Sequence, residues 1–315
     1  MKKIVFFITC ITILSCNKLE IKTPEASQVD QKELVEKVPK VDVIDGVLIF
    51  NSIDDYFDMT SYTQKMRPDQ INKWLQSHHF TNLSSKYIQL YDQINKFTTE
   101  EEIVRFVNKN AEYLSIEIDG TKEKEVIQRT ESYWNFFANS DFLIKIGEQI
   151  IDVRHETQYR NVLPVGNGPG IGGQSSLPCG NPTIRYYTHN SSCFSGRRAK
   201  LRVGSAVDNI GPPTYAIIHE NSIKLNGQRK IACIWVNYDT ELGFATSTTP
   251  FVISNYQNFV FDDPLVGIYG CSSCYELLLS IDRPSSGSGT PSITSASAKG
   301  TTRGIGSNWV TVNCQ

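Results

Sequence analysis

The residues best equipped for chemistry are six cysteines in the second half of the chain: Cys179, Cys193, Cys233, Cys271, Cys274 and Cys314. Thiols can bridge, hold a metal or act as a redox couple, and spacing helps to separate these cases. Cys271 and Cys274 have the C-x-x-C interval of half a zinc site, but a closed site needs a second pair of ligands. A thioredoxin-like couple needs a βαβ setting, which is missing around residues 271–274. An even number of cysteines in an exported chain reads first as disulfides. A bridge between 271 and 274, or two bridges leaving from these neighbouring positions, both fit. The spacing does not choose the connectivity.

The remaining motifs resolve to plainer readings. Gly168, Gly170 and Gly173 satisfy G-x-G-x-x-G, but a dinucleotide site needs that motif between a strand and a helix N-terminus. A polar stretch ending in Pro178 follows instead. His219-Glu220 is not continued to H-E-x-x-H, since Ser222 and Ile223 follow, and no G-x-S-x-G elbow exists. His78, His79, His155 and His189 join no ligand set, and Ser195 lacks an indicated base. Asp54-Asp55 and Asp262-Asp263 read as a helix start and a turn, not as paired catalytic acids. No catalytic constellation, cofactor site or metal site is expected. Arg198, Lys200 and Arg202 alternate on one strand face, which could grip an anionic glycan or lipid headgroup. The competing reading is a solvated face whose charges discourage edge pairing.

The address is more legible than the activity. Met1-Lys2-Lys3 is a basic start, and residues 4–14 are an apolar run of 11, too short for a bilayer span of ~20 residues. Ile13-Leu14-Ser15-Cys16 closes the run with a small residue before a cysteine. This layout is that of a signal peptide over residues 1–15. Its last four residues resemble the lipobox of bacterial lipoproteins, which implies that Cys16 is acylated and becomes the new N-terminus. The expected location is the outer membrane, lipid-anchored, on the periplasmic or cell-surface face.

The elements that must position any site follow from composition and period. Residues 16–45 are charged and poor in aromatics, and read as a disordered tether. Residues 46–155 predict a mainly helical domain. Ser52 with Asp55 and Thr99 with Glu102 have capping-box spacing, and Pro68 suits a first helical turn. Further helices are expected over 84–94 and 132–139, with a hairpin about Gly147. Residues 156–183 hold a Gly/Pro-rich linker. From 184 to 315 the period falls to two, in short strands rich in β-branched and aromatic residues. Asn226-Gly227 signals a hairpin there. Residues 284–299 read as a Ser/Gly/Thr-rich excursion between the last two strands. The fold class is therefore α+β: a helical domain, then a disulfide-bearing antiparallel β-sandwich or barrel-like domain.

Charge divides along the same line. Residues 16–183 carry 18 basic and 25 acidic side chains, and residues 184–315 carry 11 and 8. Neither half has the basic footprint of a nucleic-acid binder.

Several short segments resemble a group of uncharacterised cell-surface lipoproteins with a helical region followed by an exported β domain. The matching stretches are residues 46–50 (GVLIF), Trp74 with residues 79–83 (HFTNL), residues 144–150 (IKIGEQI), residues 196–201 (GRRAKL) and residues 230–235 (KIACIW). The resemblance implies a surface lipoprotein and no known activity. A tethered binding module for a glycan or protein ligand is the expectation. A structural or assembly component of the envelope, and an exported hydrolase, are the alternatives. If Cys16 carries the anchor, Cys16→Ser will release the protein from membranes or leave it unprocessed, because acyl chains bury ~0.8 kcal/mol per methylene. Fractionation checks this, and a mutant that is membrane-bound and trimmed like the wild type refutes it.

Overall fold

Local sequence starts each helix as expected. In the computed structural model, which describes residues 42–63, 66, 68–130, 133–154, 183–210, 216–254, 268–284, 292–305 and 309–314, a short hairpin comes first: β1 (Asp42–Ile44) and β2 (Val47–Phe50). The tether expected to run to 45 therefore gives way to a strand at Asp42. Ser52 and Asp55 then bond reciprocally, each backbone N–H to the other's side chain at 3.1 Å, and open α1 (Ile53–Thr63). Pro68 begins α2 (Pro68–Ser77), and the Asn82 side chain caps α3 (Leu83–Ile94). Thr99 and Glu102 form a full capping box on α4 (Glu100–Lys109). Burial of Ile103 and Val107 on one side of α4 matches its spacing.

A hairpin follows that the sequence reading did not anticipate: β3 (Leu114–Ile118) and β4 (Lys124–Gln128). Residues 132–139, expected as a helix, hold instead the 3-10 turn Tyr133–Phe136. The hairpin about Gly147 is present as β5 (Leu143–Ile146) and β6 (Gln149–Asp152). The second half supplies β7 (Thr183–Asn190), β8 (Arg197–Ile210), β9 (Ala216–Ile231), β10 (Ile234–Asn237), β11 (Thr240–Ser254), β12 (Ile268–Cys274), β13 (Glu276–Pro284), β14 (Ser292–Thr302) and β15 (Val310–Cys314). Of the excursion expected over 284–299, residues 292–299 belong to strand β14. At its described side chains burial alternates, with Ala298 buried and Lys299 exposed.

The described strands form three sheets, none closed into a barrel. One has the order β1-β2-β5-β6. The largest runs β3-β4-β10-β9-β8-β7, with β13 also on β9. The third is β12-β11-β14-β15, and its β11 and β14 lie against β8 and β9. The largest sheet crosses the division expected at 156–183, because β4 pairs in parallel with β10, Glu125 opposite Trp235. The core does the same: Leu48, Tyr56, Tyr87 and Phe137 share one buried cluster with Ile231, Ile234, Val236 and Leu278. All described residues belong to a single unit, Pro39–Gln315. The helical half and the β half are one body, since the short hairpin β3–β4 packs on α4 and pairs with the later strand β10. Residues 1–41, including Cys16, lie outside the described residues, as do Cys179, His155, Asp262-Asp263 and the G-x-G-x-x-G stretch.

Asn226-Gly227 makes no turn. It sits inside the long strand β9, opposite Lys200 and Ala199 of β8. A side chain at 227 would have to place Cβ 2.3 Å from Thr240 Cγ2, so the glycine serves the close approach of two sheets. The actual turn is at Ala232-Cys233, both at positive φ (46° and 66°), between β9 and β10. Cys233 is bridged to Cys193, across 40 residues of sequence, and its N–H donates to the Cys193 carbonyl at 3.1 Å. Cys274 is also disulfide-bonded, a state in which its sulfur is not a zinc thiolate. Replacing Cys193 and Cys233 together by Ser will lower unfolding free energy by about 4 kcal/mol on loop-closure grounds. Denaturant titration measures this, and an unchanged midpoint under oxidising conditions refutes it.

Candidate functional site

The basic strand residues proposed for ligand binding lie in an unexpected place. Strand alternation puts Arg198 and Lys200 on one face of β8, and that face is neither a free anion grip nor solvated. Arg198 is 1 % exposed and Lys200 9 %. Arg198 donates from Nε to Gln228 Oε1 at 2.6 Å and from Nη2 to Glu125 Oε2 at 3.2 Å, and it is ion-paired with Asp119. Lys200 meets Glu125 Oε1 at 2.7 Å. Lys230 pairs with Glu123, whose other oxygen accepts from Trp235 Nε1. The Arg198 guanidinium lies 4.3 Å from the Trp235 ring centroid and 4.4 Å from that of Tyr186. Arg202, the third residue of the proposed set, is half-buried opposite Lys224.

Every acid in this group comes from β4 or the loop before it, and every base from β8 or β9. Two strands separate β4 from β8, ~14 Å at the usual spacing. Only long side chains lying flat along the sheet can meet over that distance, hence Arg, Lys and Glu. Asp119 holds the hairpin tip as well, accepting from the Thr121 and Glu123 backbone N–H groups at 2.7 and 3.0 Å. Burial would raise the Asp119 carboxyl, but the Arg198 charge and the bonds from Thr121 and Glu123 outweigh it and hold the group below its ordinary value. For Glu123 too, burial pushes upward and is outweighed, here by bonds from Lys230 and Trp235 and by the Lys230 and Arg198 charges.

The open site is on the other side of the alternation. Arg197, next to the buried Arg198, points away from it into a cleft of about 370 Å³, within the range of small-molecule sites. The cleft forms where the chain leaves the largest sheet at the end of β10 and enters the third sheet at the start of β11. Tyr238, Asp239, Thr240 and Glu241 of that crossing line it, together with Ser273 of β12 and Arg303 and Gly304 after β14. Arg197 lies over the Tyr238 ring at 5.1 Å. A methyl group on Gly304 would stand 2.4 Å from Tyr238 Oη and 3.4 Å from Arg197 Cδ. Glycine lets this turn close against the pair without displacing the Tyr238 hydroxyl. Ser273 Oγ donates to Asp239 Oδ2 at 2.6 Å. Asp239, Glu241 and Arg303 are exposed. An aromatic ring, two arginines, two carboxylates and a hydroxyl thus share one open groove.

Sequence reading missed this site because it weighed the 197–202 run by the wrong parity and left out Arg197. Nothing in the local sequence brings residues 238–241 to 273 and 303. Ser195 accepts a weak 3.3 Å bond from Asn190 Nδ2 on an exposed loop. Asp54 and Asp55 stand at the start of α1, as the plainer reading expected. Side chains of Cys271 and Cys314 lie outside the described ones, although both residues are in strands. Among the described residues no three His, Cys, Asp or Glu side chains group to hold a metal. No helix of the described residues is long and apolar enough to cross a membrane.

No family model matches the chain, and no curated protein matches it. A solved crystal structure of a DUF4848 family protein from Bacteroides thetaiotaomicron is similar over 87% of this chain and 100% of that one, with 14% identity and a TM-score of 0.32. A likeness at that level carries no argument about function, and it says nothing of lipidation.

The buried ion pairs make a prediction. Arg198→Ala strands Asp119 and Glu125 without their cation and will cost ~3–5 kcal/mol of stability. Asp119 and Glu123 have depressed folded values. Their stabilisation is therefore present above the unfolded values of ~3.9 and ~4.3 and is lost as pH falls through the folded ones. Unfolding midpoints measured across that acid range will fall for the wild type and fall less for Arg198→Ala. Parallel pH profiles would refute the assignment.

Proposed function

We propose that the protein is a lipid-anchored envelope protein, held at the outer membrane through Cys16, that acts as a binding module and takes a glycan in the cleft at the crossing between the two sheets. The observation that carries this reading is the lining of that cleft. An aromatic ring beside exposed donors and acceptors of both signs is the chemistry that takes up a polyhydroxylated ring. Strands of two sheets hold the walls, and a preformed site spends less free energy on ordering when it binds. A protein ligand fits less well, because a groove of this volume admits only a small group.

The hydrolase alternative is weaker for a physical reason. A glycosidase acid needs a carboxyl kept protonated by an apolar, buried setting, and both Asp239 and Glu241 are exposed. The assembly alternative draws on one feature. The outer face of the β1-β2-β5-β6 sheet carries Ile44 and Ile150, 56% and 62% exposed, with Val47, Ile49 and Leu143 half-buried on the same face.

A panel of oligosaccharides presented to the full-length protein in detergent tests the binding reading. At least one class will be retained and recovered uncleaved. Tyr238→Ala will weaken that capture about tenfold or more, through loss of the ring and of the support it gives Arg197. Retention unaffected by Tyr238→Ala removes the cleft from consideration. Cleaved products would favour the hydrolase.

A further inference from the structure

Charged groups meet at this cleft without neutralising one another. Arg197 bonds to the Gly196 carbonyl at 3.0 Å and lies over Tyr238, while Arg303 is exposed, and neither reaches a carboxylate among the described residues. Asp239 is bonded to Ser273 rather than to an arginine. Arg197 also stands directly across the β8–β9 ladder from Arg229, and like charges placed opposite each other destabilise a sheet. Arg229 bonds to the Asn95 carbonyl, but its Nε is buried with no hydrogen-bond partner among the described residues. Burial, and after it the Arg197 charge, pull the Arg229 guanidinium below its ordinary value. Arg197, which lines the groove together with Arg303, is thus held against Arg229 on the neighbouring strand. Such an arrangement gains from an anion that bonds Arg197 and Arg303 and screens the charge of Arg229.

We propose that the ligand of this cleft is an acidic sugar, whose carboxylate or sulfate is held by Arg197 and Arg303 and whose ring hydroxyls are taken by Asp239 and Glu241. The inference rests on the glycan reading above and names the class of glycan. Asp239 and Glu241 supply the acceptors that hydroxyl groups need, and they also disfavour ligands that are anionic throughout, such as a polyphosphate. Gly304, next to Arg303, lies against Arg197, and both arginines line the cleft, where they can bond one oxyanion together.

The test uses the full-length protein in detergent and three matched probes: a glucuronate-containing oligosaccharide, the same oligosaccharide with its carboxyl groups reduced to alcohols, and a sulfated counterpart. Calorimetric titration will show one of the acidic probes binding ~10–100-fold more tightly than the reduced one, the range expected for one or two charge-assisted contacts. Affinity for that probe will fall as salt rises through physiological strength. Arg303→Ala, at an exposed position that leaves the melting temperature unchanged, will remove most of the preference, and Arg303→Lys will restore only part because the planar fork is lost. Whichever acidic probe wins identifies the anion. Equal affinity for the acidic and reduced probes overturns this inference and leaves the glycan reading standing. No binding of any of the three probes, with the protein shown folded by its thermal transition, overturns this inference, and the glycan reading falls with it only if the oligosaccharide panel is not retained either.

Discussion

The fold depends on a set of ion pairs buried along one sheet face. Asp119, Glu123 and Glu125 come from the β3–β4 hairpin, and Arg198, Lys200 and Lys230 from β8 and β9. A five-residue hairpin strand cannot bury enough apolar area to hold itself in place. Here it is pinned by charges that would each be costly if left alone. The joint is unforgiving for that reason: its members stabilise the fold only as a complete set. It also gives a physical sense to the uneven charge along the chain, where an acidic first half is followed by a basic second half. The excess of each sign is partly spent on the other inside one sheet.

The same strand serves two purposes because its side chains alternate. Arg198 points into the ionic face and is immobilised between Trp235 and Tyr186. Its neighbour Arg197 therefore points to the opposite side, toward the corner where the chain passes from one sheet to the next. The cleft arises there for a topological reason. The link Tyr238-Asp239 joins β10, which pairs with β9, to β11, which pairs with β12 and β14. Backbone leaving one sheet for another opens a gap between them, and side chains from three otherwise separate segments line it.

Two of the Asx-Gly pairs in this chain show how far a local signal reaches. Asp119-Gly120 lies in the true β3–β4 hairpin loop, flanked by alternating residues such as Ile116 and Val126. Asn226-Gly227 carries an equally strong turn signal and lies in mid-strand. What differs is the environment: β8 pairs with β9 without interruption past Gly227, and Thr240 occupies the space where a side chain would be. Sheet-to-sheet packing overrode turn propensity at one pair, whereas nothing opposed it at the other.

Local starts and stops are written in short-range residue patterns. The capping residues at Ser52, Thr99 and Pro68, the turn at Gly147 and the change to period two after residue 184 act within a few residues of themselves, and all appear where expected. The α+β class and the disulfide-forming character of Cys193 and Cys233 were legible for the same reason. The partners are set by the assembly of the sheets. That Arg198 faces Asp119 across 79 residues, that β4 joins β10, and that Arg197 rather than Arg198 reaches an open cleft are outcomes of strand order and register. A run of alternating charges reads identically whichever face meets solvent. Parity relative to the core is fixed only when the sheet is assembled.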